Sequence, residues 1–133
     1  MEIKYRKLKK GKYKYELIES YECHTPIRGY IGCTKDNFVG ILADGTIRFK
    51  IKYAWDGSTL SPDLKSNFRA ALVHDGFFQL LREGIIPQSG LPSVDKLYRT
   101  MCLEDGMNKF LAQCFYIGLR TPIAHHFAKP RKK

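Results

Sequence analysis

The segment from Leu64 to Leu81 constrains the fold more than any other part of the chain. Its apolar residues Leu64, Phe68, Ala70, Ala71, Leu72, Val73, Phe77, Phe78, Leu80 and Leu81 cover most of a helical circumference. A helix that is apolar nearly all round has to be enclosed by the rest of its domain. Ser61-Pro62-Asp63 reads as its start, with Ser61 as N-cap and Pro62 at the first helical position, and Glu83-Gly84 stops it after Arg82. A chain of 133 residues supports one such core.

The material that encloses this helix changes character along the chain. Before it, the pattern is β. Tyr13 to Ile18 alternates, Gly29 to Cys33 is a short apolar run between turn formers, and Phe38 to Ala43 runs into Asp44-Gly45. Asp44-Gly45 reads as a tight hairpin turn with positive φ at both central positions. The returning strand places Ile47, Phe49, Ile51, Tyr53 and Trp55 on one face and Arg48, Lys50 and Lys52 on the other. After the central helix, Ser93 caps a second helix bearing Val94, Leu97, Tyr98, Met101 and Cys102. Gly106 interrupts the pattern, Asp105 caps the continuation carrying Met107, Phe110, Leu111, Cys114 and Phe115, and Thr121-Pro122 ends it. The expected class is α+β, with N-terminal antiparallel hairpins or a meander packed on a C-terminal bundle of two to three helices.

One residue conflicts with the central helix. At 100° per residue Asp75 falls among Phe68, Ala71, Leu72 and Phe78, in the middle of an apolar stripe. A carboxylate there needs a cation, hydrogen-bond donors or a metal, or it keeps its proton. His74 is its neighbour on the helix. Asp56 ends the amphipathic strand in Trp55-Asp56-Gly57-Ser58-Thr59, and Asp95 stands in the first turn of the second helix. Convergence of Asp56, His74, Asp75 and Asp95 would suit a divalent cation or an Asp/His general-base pair. The same residues also suit a structural network, with His74 bonded to Asp95 or Asp56 and Asp75 capping the turn after Asp56. His125-His126, near the basic end, reads as facing solvent.

The formal charge of +10 does not belong to this set. Residues 1–14 hold Lys4, Arg6, Lys7, Lys9, Lys10, Lys12 and Lys14 against Glu2, residues 129–133 hold four more cations, and the interval 15–128 is neutral. The expected organisation is a basic N-terminal segment 1–14, one domain over 15–128 and a basic tail 129–133. Basic ends keep a small protein in solution, and they also hold phosphate backbones without reading sequence. No apolar run follows the basic start and none approaches a membrane span, so neither export by a standard signal nor a membrane partner is expected. Cys102 and Cys114 read as small core hydrophobes, and the spacing of Cys23, His24 and Cys33 lacks the pairing of a zinc site.

A His-Asp dipeptide presents imidazole and carboxylate to one point, as in metal-dependent phosphohydrolases of the HD type. Those are all-helical and use a separate upstream histidine, for which this chain offers only His24. The motif order resembles more closely a phage- and prophage-encoded family of uncharacterised function. The resemblance lies in Asp56-Gly57-Ser58-Thr59 after a strand, His74-Asp75-Gly76-Phe77-Phe78 in a helix, Asp95 opening the next helix, and Tyr116 with Arg120 near the end. It spans about residues 50–120. Phe77 and Phe78 stand where the family has a tyrosine, so a phenolic proton donor is missing there. The resemblance implies a viral or prophage origin, a place in the host cytoplasm or the virion, and the same polar cluster. Two functions follow as expectations: an accessory protein with a hydrolytic or metal-binding Asp/His site, or a non-enzymatic protein binding a virion component or a host or defence factor. A third is nonspecific nucleic-acid binding through the basic ends.

Overall fold

The computed structural model describes residues 2–57, 64–126, 128 and 129. Among the described residues, seven short strands precede four α-helices. Strands β1 (Tyr5–Lys7), β2 (Tyr15–Leu17) and β7 (Ala54–Trp55) form one antiparallel sheet in the order β1-β2-β7. Strands β3 (Tyr21–His24), β4 (Gly32–Cys33), β5 (Val39–Ile41) and β6 (Thr46–Phe49) form a second in the order β3-β6-β5-β4. A bundle of α1 (Phe68–Arg82), α2 (Leu91–Glu104) and α3 (Lys109–Leu119) follows, extended by the short α4 (Pro122–His126). This is the α+β arrangement that the change in hydrophobic period implies.

Alternation builds each sheet. In β2, Tyr15 and Leu17 are buried and Glu16 lies between them, paired with Arg6 of β1 at 2.7 Å. In β6, Ile47 and Phe49 point inward while Arg48 reaches Glu22 of β3 at 3.0 Å. The β5–β6 connection differs from the expected two-residue turn. Gly45 takes φ +95 and Asp44 stays out of the left-handed region, so residues 42–45 form a four-residue turn closed by Gly45 N donating to Leu42 O at 2.9 Å, with Leu42 N donating to Thr46 O at 3.0 Å. The Asp44 carboxylate accepts from Thr46 N at 2.9 Å and completes it.

The single long strand expected from Ile47 to Trp55 is broken. After Phe49 the chain turns, with Lys52 at φ +75, and enters the other sheet, where Leu17 N donates to Tyr53 O and Lys52 N to Leu17 O. Ile51, expected inside, is 52% exposed because it sits on that turn. One amphipathic run thus supplies a strand to each sheet.

The core lies between these sheets and α1. Ala70, Leu72, Val73, Phe77, Leu80 and Leu81 are all buried, as the all-round apolar pattern requires. Gly76 allows the close approach: a Cβ there would sit 2.5 Å from the Phe49 ring of β6. Ser61, Pro62 and Asp63, the expected helix start, lie outside the described residues. The described helix opens with a single 3-10 turn, Lys65–Asn67, in which the buried Asn67 side chain accepts from Leu64 N at 2.8 Å.

Further expectations shift in the bundle. Helix α2 starts at Leu91 with Pro92 in its first turn, so Ser93 is inside it rather than its cap. Helix α3 is capped by Asn108, whose side chain accepts from Leu111 N at 2.7 Å. Asp105 does not cap it, because both its oxygens are held by Arg69 at 3.0 and 3.1 Å. Cys102 is fully buried as expected, and burial pushes its thiol up to about 12, but Cys114 is exposed on α3. The basic N-terminal segment is not an appendage, since residues 5–7 are β1 and Tyr5 packs against Tyr15, Trp55 and Phe68. Among the described residues no helix is long and apolar enough to cross a membrane.

Candidate functional site

Two polar assemblies flank His74, and the four residues singled out in the sequence are divided between them. The first is a sealed anchor around Asp95. Helices α1 and α2 pack side by side, which brings Asp95, at 0% exposure, against His74. Its Oδ1 accepts from His74 Nε2 at 3.0 Å, while its Oδ2 accepts from Arg120 Nη1 at 2.8 Å and meets His125 Nε2 at 3.2 Å. A carboxylate only accepts, so the His74 proton sits on Nε2. Three cationic or potentially cationic groups compensate one enclosed charge, and both oxygens are taken. Asp95 therefore joins α1, α2 and the α3–α4 segment at a single point.

The second assembly opens on a cavity of about 860 Å³, a size usual for small-molecule sites. Asp56 reaches it from the end of β7, and His74 and Asp75 reach it from successive positions of α1. Tyr53, Trp55, Phe78 and Tyr98 contribute to its wall, and Phe115, Leu119 and Ala124 close it from the α3–α4 side. The His74 ring lies 4.1 Å from that of Phe78 and 5.4 Å from that of Tyr98. His74 thus stands between the assemblies, with Nε2 committed to the anchor and its ring part of the cavity wall.

Asp75 is half-buried, and burial pushes its carboxyl up to about 8. The negative charge of Asp56 adds to the rise and the guanidinium of Arg82 opposes it. The rise favours the protonated acid, one of the outcomes that a carboxyl on an apolar stripe allows. Burial raises the Tyr53 hydroxyl well above its ordinary value, and the Asp75 carboxylate, once ionised at higher pH, is the next cause. Asp56, Asp75, Arg82 and Tyr53 form one electrostatic group on the cavity. Trp55 is 1% exposed and its indole Nε1 has no hydrogen-bond partner among the described residues.

The structure thus brings Asp56, His74 and Asp75 to one cavity and places Asp95 behind His74, out of solvent. Among the described residues no group of three or more His, Cys, Asp or Glu is arranged to hold a metal ion, so the expected four-residue donor set is not assembled. The physical reason is the commitment of Asp95 to Arg120 and the two histidines. Cys23 and His24 on β3 and Cys33 on β4 occupy opposite edges of a four-stranded sheet, ~14 Å apart at ~4.8 Å per strand, too far for one zinc.

Two participants escaped the reading from periodicity. His125 was expected in solvent and instead meets Asp95, because the five-residue α4 turns it inward and is too short to show a period. Arg120 appeared only through the motif resemblance, and its partner is now Asp95. Tyr116, matched with it, lies 5.4 Å from the Arg99 guanidinium. Lys4, Arg6, Lys7, Lys9, Lys10, Lys12 and Lys14 gather on and beside β1, and Lys12 alone of these reaches the cavity rim. No protein-family model, curated protein or solved structure matches this chain.

Proposed function

We propose that this chain is a hydrolytic enzyme of the acid–base type, carried by a phage or prophage, with Asp75 as proton donor and Asp56 as proton acceptor. The observation that carries this reading is the shared cavity: Asp56, Asp75 and His74 line one space of about 860 Å³. A useful pair of catalytic carboxyls has one member protonated and one ionised, and burial beside a second carboxylate favours that division. His74 is a positioning residue, fixed in tautomer and direction by Asp95. The ordered motifs from Asp56 to Arg120 support the viral setting.

A screen against chromogenic esters, phosphoesters and glycosides, using wild type, Asp75→Asn and Asp56→Asn, tests it. The expected result is hydrolysis of one class by the wild type, with a loss of ~100-fold or more in either variant at unchanged fold. Equal turnover in all three proteins overturns the assignment. Repeating the assay with Mn2+ tests a metal-assisted form of the same site. A cation bound between Asp56 and Asp75 would hold both ionised and pull Asp75 far below about 8.

A non-enzymatic binding protein for a virion, host or defence factor is the second reading, favoured by the complete enclosure of Asp95. There the polar cluster serves only to pin the helices together. His74→Ala separates the two readings. A binding protein loses stability and partner affinity in parallel, whereas the enzyme loses turnover in excess of its loss of folded fraction.

A further inference from the structure

We infer that the cavity takes a small molecule carrying a phosphate group, with the phosphate held at the mouth by Lys12, Lys35 and Lys52 and the uncharged end directed toward Asp56 and Asp75. This rests on the reading of the cavity as the substrate site and adds the charge that the substrate brings. The phosphate is a handle and is not itself cleaved.

Three separate connections deliver the cations. Lys12 comes from the loop between β1 and β2, Lys35 from the β4–β5 connection and Lys52 from the turn between β6 and β7, and all three contribute to the lining. Each is exposed, and none is in an ion pair with a described carboxylate. Lys12 Nζ meets only the ring of Tyr13, at 5.5 Å. Among the described residues the two non-glycine positions with positive φ are Asn37 at +65 and Lys52 at +75. They lie in the connections that present Lys35 and Lys52, so local backbone strain is concentrated at the mouth.

The acids beside these lysines are committed elsewhere. Asp36 Oδ1 accepts from the Thr34 hydroxyl and from Phe38 N at 3.0 Å, and its Oδ2 accepts from Gln79 Nε2 at 2.9 Å. Glu83 Oε1 accepts from Lys35 N at 2.7 Å and its Oε2 from Gln79 Nε2 at 3.3 Å. All four oxygens are taken by neutral donors that fasten the β4–β5 connection to α1, and none by a lysine ammonium. With Asp75 favoured as the neutral acid, Lys12, Lys35, Lys52 and Arg82 face three carboxylates, Asp36, Asp56 and Glu83. A concave surface with that excess attracts an anion.

The kind of cation selects the anion. A guanidinium fork suits a planar carboxylate, whereas an ammonium is a point charge with three donors and no preferred plane. Three of them on separate connections suit the tetrahedral spread of phosphate oxygens. Asp56 is half-buried and negative, so it repels the phosphate and fixes the ligand's direction. Phe115 and Leu119, half-buried on the α3 side, offer apolar surface to the uncharged end.

Calorimetry on the full chain at low salt tests this with phenyl phosphate, phenylacetate and benzyl alcohol, which share a ring and differ in charge. The expected result is saturable 1:1 binding of phenyl phosphate, weaker binding of phenylacetate and none of benzyl alcohol. Lys35→Gln combined with Lys52→Gln should weaken phenyl phosphate by ~10-fold or more. Lys35→Arg combined with Lys52→Arg keeps the charge and should retain most of the affinity. Lys9→Gln combined with Lys10→Gln, off the lining, should leave it unchanged, and so should Asp75→Asn.

Equal affinity for the three probes, or tighter binding of phenylacetate, overturns the inference. So does phenyl phosphate binding that ignores the Lys35 and Lys52 pair or disappears with the Lys9 and Lys10 pair. If phenyl phosphate fails to bind while neutral esters are hydrolysed through Asp56 and Asp75, only the substrate class falls and the hydrolytic reading stands. If it binds as expected and no bond in any tested substrate is cleaved, the phosphate site stands and the hydrolytic reading falls.

Discussion

At the scale of single residues, Asp75 and Asp95 show two ways to keep a carboxyl inside a protein. Asp95 is compensated by His74, Arg120 and His125, while Asp75 meets desolvation and a second carboxylate. Asp75 binds its proton in the folded state up to about pH 8, but in the unfolded chain only to ~pH 4. Between those values the folded state holds more protons, so stability declines as pH rises through the window. Wild-type urea midpoints should fall from pH 5 to pH 8, and Asp75→Asn, which mimics the neutral acid, should flatten that slope. A slope equal in both proteins would place the proton elsewhere. Removing Asp95 acts in the opposite sense. Asp95→Ala strips the partner from three groups at once and should cost ~3 to 5 kcal/mol in chemical denaturation.

At the scale of elements, the junction of β6 and β7 and the seat of α1 decide where the site lies. Lys52 occupies the left-handed region at φ +75, which costs a side chain ~1 to 2 kcal/mol. Lys52→Gly should recover part of that, raising the thermal midpoint by a few degrees for ~0.5 to 1 kcal/mol. Gly76→Ala should do the reverse. Alanine favours a helix by ~1 kcal/mol, yet its Cβ would enter the Phe49 ring at 2.5 Å, and overpacking costs ~1 to 3 kcal/mol. A lowered urea midpoint for this variant checks it.

These elements also explain what was legible in advance. Helix α1, its end at Arg82 and the conflict at Asp75 follow from periodicity, because a central helix has no exposed face to blur the pattern. The break after Phe49 was hidden, since Ile51, Tyr53 and Trp55 keep the two-residue period across a turn that changes sheets. The position of Asp95 was half legible. Its partner His74 could be foreseen from two adjacent helices, whereas Arg120 and His125 depend on a short terminal helix whose direction only tertiary packing sets.

At the scale of the whole molecule, most of the net charge lies away from the cavity, with Lys12 the one cation of the basic segment on its rim. Lys9 and Lys10 are exposed in the loop beyond β1, away from the cavity lining, and the neutral interval 15–128 holds the three carboxyls of interest. Replacing Lys9 and Lys10 by Gln should lower retention on heparin and shrink the salt dependence of any binding to a phosphate backbone, by ~0.9 in logarithmic slope for each phosphate no longer neutralised. Turnover at the cavity should not change. A loss of turnover in that variant would mean that the basic segment takes part in substrate binding.

The α3–α4 wall carries one more property. Cys114 is exposed on α3 and contributes to the cavity lining, while Cys102 is enclosed with its thiol held near 12. A sulfhydryl at the mouth is an attachment point, and Cys33→Ser removes the other fully exposed one. Small disulfide-capped fragments can then be captured one at a time at Cys114 and ranked by their resistance to reduction. The protein would select its own ligand chemistry from a mixture, with the covalent link amplifying contacts too weak to survive in free solution.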